Sequence, residues 1–179
     1  MVARWLWLFC ACILAALGLA NAAPAWAAPI NFQATGLAAA GPQALLALDF
    51  VDGNAAPNSL TAGSFLSDGT LALQSQTGAV SGTLASGLLL QDSGFFNEAL
   101  LALTGAGNFS FVFDATSVAP LAGGFADAFS IFLLDASTGL SLVGTDDPTG
   151  NNALLLFLID GTGAGQLQVF GQTSALALG

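Results

Sequence analysis

The feature that most constrains the fold is a pair of apolar segments of strand length, residues 127–135 and 153–160. Turn residues bound both segments, so both are predicted to be β-strands. Between them lie a Ser-Thr-Gly turn, a short third strand at residues 140–143 and a loop rich in side-chain oxygens. Along the rest of the chain, short apolar runs alternate with residues typical of turns, and no long helical pattern is present. Residues 99–103 fit a helical turn or a strand equally. The sequence therefore predicts an all-β fold, an antiparallel β-sandwich of jelly-roll type.

The first 27 residues have the composition of a secretory signal peptide. Arg4 precedes an apolar run from Trp5 to Ala20, and Ala25-Trp26-Ala27 matches the small-residue pattern of a cleavage site. Cleavage after Ala22 and an uncleaved membrane anchor are the competing interpretations. Cleavage after Ala27 leaves residues 28–179, about 150 residues, as a single domain. The mature protein is then expected to be secreted, to the extracellular space or the cell surface.

Removal of the signal peptide leaves a chain with little reactive chemistry. Arg4 is the only basic residue, Cys10 and Cys12 are the only cysteines, His is absent, and all 11 acidic residues follow residue 27. The mature chain therefore cannot form a Ser-His-Asp triad, a Cys-His pair, a Schiff-base lysine or the usual zinc site. Without Lys or Arg it has no side chain to bind phosphate, which excludes nucleic acid as a partner. Its longest apolar run, residues 153–159, is too short for a membrane-spanning helix, so no integral membrane segment is expected in the mature chain.

The chemistry that remains is that of oxygen ligands. The candidate calcium ligands fall in one loop and are Asp146, Asp147, Thr149, Asn151 and Asn152. Hard oxygen donors suit Ca²⁺, and flanking glycines allow backbone carbonyls to turn inward. The competing interpretation is a solvated turn in which Asp accepts hydrogen bonds from backbone amides, because the loop matches no known pattern such as D-x-D-x-D-G. Apart from Ca²⁺ at this loop, no cofactor is predicted.

Other groupings of side-chain oxygens are weaker candidates. Asp49, Asp52 and Asn54 form a second calcium candidate. Carboxylates alone can also hydrolyse glycosides, and the pairs that could be nominated are Glu98 with Asp92, and Asp146 with Asp147. No spacing fixes either pair at the separation that this reaction needs, and no Trp or Tyr follows residue 27 to stack against a sugar. No catalytic residue is predicted, and the protein is expected not to be an enzyme.

Three motifs resemble those of bacterial exported proteins of the PEP-CTERM class. They are Phe95-Phe96-Asn97-Glu98, Phe129-Ser-Ile-Phe-Leu-Leu-Asp135 and Thr145-Asp-Asp-Pro-Thr-Gly150. The resemblance spans most of residues 44–170 and implies a signal peptide, a β-rich domain and a C-terminal sorting signal read by an exosortase. No Val-Pro-Glu-Pro motif, apolar helix or basic tail precedes Gly179, so the signal has either been lost or belongs to a continuation of the chain.

These observations lead to three functional expectations. The first is a non-enzymatic structural or adhesive protein of the bacterial cell surface or extracellular matrix, the placement that the resemblance implies, with surface polysaccharide or other matrix components as partners. The second is a Ca²⁺-binding or glycan-binding module that uses residues 146–152. The third is a glycoside hydrolase that works with carboxylates alone.

Overall fold

The computed structural model describes residues 29–37, 43–53, 58–116, 126–159, 165–171 and 176–178. The predicted signal peptide, residues 1–27, lies outside these ranges. Within them the chain forms twelve β-strands and no α-helix. The strands are β1 (Ile30–Ala34), β2 (Gln43–Val51), β3 (Ser59–Ser67), β4 (Thr70–Thr77), β5 (Val80–Thr83), β6 (Gly87–Gln91), β7 (Phe96–Thr104), β8 (Phe109–Thr116), β9 (Asp127–Asp135), β10 (Leu155–Ile159), β11 (Gly165–Val169) and β12 (Leu176–Leu178).

The strands form two antiparallel sheets of six. Sheet A has the order β12-β1-β8-β3-β6-β5, and sheet B has the order β11-β10-β9-β2-β7-β4. From β1 to β5 each strand lies in the sheet opposite to its predecessor, a connectivity found in jelly-roll sandwiches. The prediction of an all-β antiparallel sandwich is confirmed. No helix in the described ranges has the length and apolar character needed to cross a membrane.

The alternation of side chains along β8 shows how the sequence directs one face of each sheet inward. Phe109, Phe111 and Phe113 are buried, whereas Ser110 and Val112 between them are half-buried on the other face. Successive side chains of a strand point to opposite faces, so this pattern commits one face of sheet A to the core. Residues 99–103, whose sequence fits a helical turn or a strand, are part of strand β7, and their side chains alternate between buried and half-buried in the same way.

Phenylalanine side chains join the two sheets at the centre of the sandwich. The ring of Phe113 on β8 lies 5.1 Å from that of Phe129 on β9 and 6.1 Å from that of Phe157 on β10, measured between ring centroids. Aromatic rings at these separations stabilise each other beyond their simple burial. No cysteine is present after Cys12, so the sandwich depends on packing of this kind rather than on disulfides.

Strand β9 is buried over almost its whole length because both of its faces are covered. Its inward face contributes to the main core, and its outward face packs in a second cluster. That second cluster consists of Ala47, Phe132, Leu134 and Ala153, with Leu45, Leu100 and Phe170 against them. The segment that follows β9 thus covers part of the outer face of sheet B. The predicted short strand at residues 140–143 is not a strand, since only an isolated bridge pairs Ser141 with Leu134.

We expect Phe113→Ala to lower the free energy of unfolding by about 3–5 kcal/mol, because the truncation leaves a cavity between two sheets that cannot close on it. Urea denaturation followed by circular dichroism measures the change. The control is Leu66→Ala in the same sheet, at a side chain that is 69% exposed, where a change within about 0.5 kcal/mol is expected. Equal effects of the two substitutions would contradict this account of the core.

Candidate functional site

The predicted calcium loop is a turn held by its own side chains. The Asp147 carboxylate accepts hydrogen bonds through Oδ1 from the Thr149 N–H at 2.9 Å and the Thr149 hydroxyl at 2.7 Å. Its Oδ2 accepts from the Ala153 N–H at 3.0 Å, and the Thr145 hydroxyl donates to the Ala153 carbonyl at 2.6 Å. An ion in this loop would compete with these donors for the Asp147 oxygens.

The other predicted ligands of the loop occupy separate positions. The Asp146 N–H donates to the Phe170 carbonyl at 2.9 Å, and the Asn151 N–H donates to the Thr149 hydroxyl at 3.4 Å. Asn152 has a φ of +63°, a left-handed conformation that Asn tolerates better than most residues. In the described part of the chain no three acidic residues are grouped so that they could hold a metal ion. Calcium binding by residues 146–152 stays a prediction.

The strand register brings Glu98 together with Asp49 rather than with Asp92. Glu98 on β7 and Asp49 on β2 are directly opposite each other on the outer face of sheet B, and Ser130 of β9 flanks Asp49 on its other side. Opposed side chains of an antiparallel pair have Cβ atoms about 4.5–5.5 Å apart, so these two acidic side chains are direct neighbours. Asp49 is only 5% exposed, however, so a substrate could reach Glu98 but not its neighbour. Of the second calcium candidate, Asn54 lies outside the described residues.

Carboxylates also stabilise two exposed turns, one that follows β3 and one that follows β9. The pKa of Asp68 is lowered, chiefly by the hydrogen bond from the backbone N–H of Asn108. The pKa of Asp135 is lowered to about 2, first by the Ser137 hydroxyl at 2.6 Å and then by the N–H groups of Thr138 and Ser137. Hydrogen bonds to the ionised form favour that form, and both turns therefore depend on a charged carboxylate.

An open groove of about 360 Å³ lies on the outer face of sheet A, across β3, β6 and β8. Its polar lining consists of the side chains of Thr61, Ser64, Ser86 and Asp114. Thr61 on β3 is directly opposite both Asp114 of β8 and Leu89 of β6, so a hydroxyl, a carboxylate and an apolar side chain stand in one row. These groups lie on or beside paired strands, which hold them in place without a ligand.

Two glycines form the floor of this groove. Gly63 and Gly87 lie side by side on β3 and β6, and a Cβ added to Gly63 would stand 3.8 Å from the Gly87 Cα atom. Gly87 has a φ of +90°, a conformation that requires glycine. A bulge follows Gly63 in the pairing of β3 with β8, and Ser64 beside it has a φ of +54°. The groove therefore exists because two adjacent strands have no side chain at this point.

A second polar centre lies between the sheets at one end of the sandwich. The Asn58 side chain donates through Nδ2 to Oδ2 of Asp127 at 2.5 Å, and the Asn58 backbone N–H donates to Oδ2 of Asp92 at 2.5 Å. Oδ1 of Asp127 accepts from the Gly53 N–H at 2.9 Å. Asn58 is 2% exposed and Asp127 is fully buried. We call these residues, Asn58, Asp92 and Asp127, the Asn58 centre.

Comparisons with family models, with curated proteins and with solved structures give no match. The resemblance to the PEP-CTERM class therefore stays a prediction. Two of its motifs occupy defined positions in the fold: Phe129–Asp135 lies within β9, and Phe96–Glu98 opens β7. Both contribute to the packing and register of sheet B.

The sequence patterns did not indicate the groove or the Asn58 centre. A pair of glycines 24 positions apart and an Asn-Asp pair whose members are separated by 69 positions carry no local signal. The only indications were that Asp92 directly follows strand β6 and that Asp127 begins strand β9. The ends of several strands meet at each end of a sandwich, so two such residues can lie close together.

We expect the stability contributed by the Asp135 turn to be lost in acid. Because the pKa of Asp135 is lowered in the folded protein, the contribution is fully present above the ordinary value of 3.8 and disappears as the pH falls to about 2. The difference in melting temperature between the wild type and Asp135→Asn should therefore shrink between pH 5 and pH 2. Ser137→Ala, which removes the first donor, should show part of the same effect. A difference that is independent of pH would refute this role of the carboxylate.

Proposed function

We propose that the protein is a non-enzymatic, exported structural or adhesive component of the bacterial cell surface or extracellular matrix, and that it holds uncharged polysaccharide in the groove of sheet A. The observation that carries this proposal is the groove itself, with its glycine floor and its row of Thr61, Asp114 and Leu89. Export follows from the signal peptide predicted for residues 1–27, and the surface or matrix placement follows from the resemblance to the PEP-CTERM class.

The groove presents the groups that a sugar ring can use. The Asp114 carboxylate accepts hydrogen bonds from sugar hydroxyls, and bonds to an ionised acceptor are the stronger kind. Thr61 and Ser64 can both donate and accept, while Leu89 and Val112 offer apolar contact to the C–H face of the ring. Because Gly63 and Gly87 have no side chains, a polysaccharide chain can approach the sheet closely.

The charge of the protein selects the kind of polysaccharide. The formal net charge is −10, and no basic residue follows Arg4. An acidic polymer would be repelled by the protein as a whole and by Asp114 in particular. An uncharged polysaccharide meets no such repulsion, so it is the partner that fits.

The composition of the groove supports binding rather than hydrolysis. Asp114 is the one acidic residue among those that line it, whereas glycoside hydrolysis requires a pair of carboxyl groups on either side of the bond. Because strands hold the lining in place, little side-chain freedom is lost when a ligand binds. A rigid surface with one carboxylate suits retention of a polymer.

We expect Gly63→Val to abolish retention of an uncharged polysaccharide while the fold is kept. The new side chain would fill the groove, yet its Cβ atom meets only an ordinary contact at 3.8 Å, and a β-branched residue is favoured over glycine in a strand. Affinity electrophoresis in gels containing an uncharged β-glucan or an acidic alginate measures retention, and thermal melting measures stability. The expected result is at least a tenfold weaker retention by the β-glucan with an unchanged or higher melting temperature.

The matched control is Ala72→Val on β4 of sheet B, an exposed strand position far from the groove, where retention should equal that of the wild type. Asp114→Asn should weaken retention without changing the shape of the groove. The proposal fails if the wild type is not retarded by the uncharged polymer, or if Gly63→Val is retarded as strongly as the wild type.

A further inference from the structure

We infer that the N-terminus of the processed protein is part of the groove of sheet A. Once the predicted signal peptide is removed after Ala27, the new α-ammonium group of Ala28 pairs with the Asp114 carboxylate. The inference rests on the predicted cleavage site, and its effect on ligand binding rests on the proposed polysaccharide function. The pairing itself can be tested without a polysaccharide.

The chain enters the fold at the groove. Pro29, the first residue that the structure describes, is exposed and lines the groove together with Asp114. Strand β1 pairs with β8 through Ile30 opposite Phe113, so the next step of the same register brings Pro29 opposite Asp114. Ile30 and Phe113 are both buried in the core. Because successive side chains of a strand alternate between faces, Pro29 and Asp114 share the outer face.

Covalent geometry limits where the new α-amino group can be. Consecutive Cα atoms are about 3.8 Å apart, so the nitrogen of Ala28 is within about one residue length of Pro29. Residues that are opposite each other in an antiparallel pair have Cβ atoms about 4.5–5.5 Å apart, and an Asp carboxylate extends beyond its Cβ atom. An ammonium group at Ala28 is therefore within reach of the Asp114 carboxylate.

The distribution of charge makes Asp114 the partner. Asp114 is the only charged residue in the six strands of sheet A. The acids in the turns after β6 and β3 already have donors, since Asp92 accepts a hydrogen bond from the Asn58 N–H and Asp68 accepts from the backbone of residues 107 and 108. No Lys, Arg or His follows Arg4, so after cleavage the α-ammonium group is the one cationic group that the sequence supplies. Opposite charges at the same place on a sheet attract each other.

Cleavage would change the chemistry of the groove. In the precursor the nitrogen of Ala28 belongs to an uncharged peptide bond, whereas in the processed protein it is a charged group with three donor hydrogens. An ammonium group beside Asp114 offsets the charge of the carboxylate and adds a charge-assisted donor for sugar hydroxyls. The groove is therefore complete as a binding site only after processing.

The absence of lysine allows a direct test, because the α-amine is the sole amine of the processed chain. The protein is exported and processed in a bacterial host, mass spectrometry identifies its first residue, and trinitrobenzenesulfonate measures the reaction rate of the amine at pH 7. Only the uncharged amine reacts, so an ion pair that stabilises the ammonium form slows the reaction. We expect the wild type to react about two- to fivefold more slowly than Asp114→Asn, the effect of an exposed ion pair.

The matched control is Asp68→Asn, which removes the same charge from a turn at the other end of β8 and should react at the wild-type rate. The wild-type rate should also rise in 1 M NaCl, which screens the pair, and this measurement needs no variant. Equal rates for the wild type and Asp114→Asn, a wild-type rate that salt does not change, or a first residue other than Ala28 would each overturn the inference.

Acetylation of the sole amine tests its part in ligand binding. Acetic anhydride converts the amine into an uncharged amide, and we expect the acetylated protein to be retained at least about threefold more weakly by the β-glucan gel than the untreated protein. If the untreated protein is retained and acetylation changes nothing, the N-terminus is not part of the site and the inference is wrong, while the proposed function stands. If the untreated protein is not retained at all, the proposed function fails, and the reaction rates alone decide whether the ion pair exists.

Discussion

All 11 acidic residues follow residue 27 and no basic residue follows Arg4, so the carboxylates of the sandwich have to be stabilised without a basic side chain from that part of the chain. The half-buried acids are stabilised by turn donors: Asp135 accepts hydrogen bonds from Ser137 and Thr138, and Asp147 accepts them from Thr149 and Ala153. These bonds define the loops between strands. The buried Asp127 meets the same constraint with amide donors, since it accepts hydrogen bonds from the Gly53 N–H and from the Asn58 side chain.

The same lack of ionic and disulfide cross-links leaves apolar packing as the source of cohesion. The rings of Phe113, Phe129 and Phe157 meet across the two sheets, and the segment after β9 covers part of the outer face of sheet B. Sheet A differs, because its outer face carries a groove where Gly63 and Gly87 have no side chains. The outer face of sheet B is thus partly covered by the chain itself, whereas the outer face of sheet A carries an open groove.

The sequence was most informative where local pattern and burial agree. Strand β9 has the bounds predicted for it, and the alternating phenylalanines of β8 coincide with its buried face. It was less informative at residues 140–143, where apolar residues that suit a strand pack against the end of β9 through an isolated bridge. It left residues 99–103 undecided, since a run of Ala and Leu satisfies either conformation until a neighbouring strand pairs with it.

By itself, then, the sequence determined the all-β class and the kinds of reactive side chain present after residue 27, because both follow from short-range patterns and from residue counts. Only the tertiary structure decided which distant residues meet. Sheet order and register place Glu98 opposite Asp49, Gly63 beside Gly87 and Asn58 against Asp127. These contacts depend on the pairing of strands that are far apart in the chain. Burial of the whole core fixes that pairing, so the residues next to each contact in the sequence do not predict it.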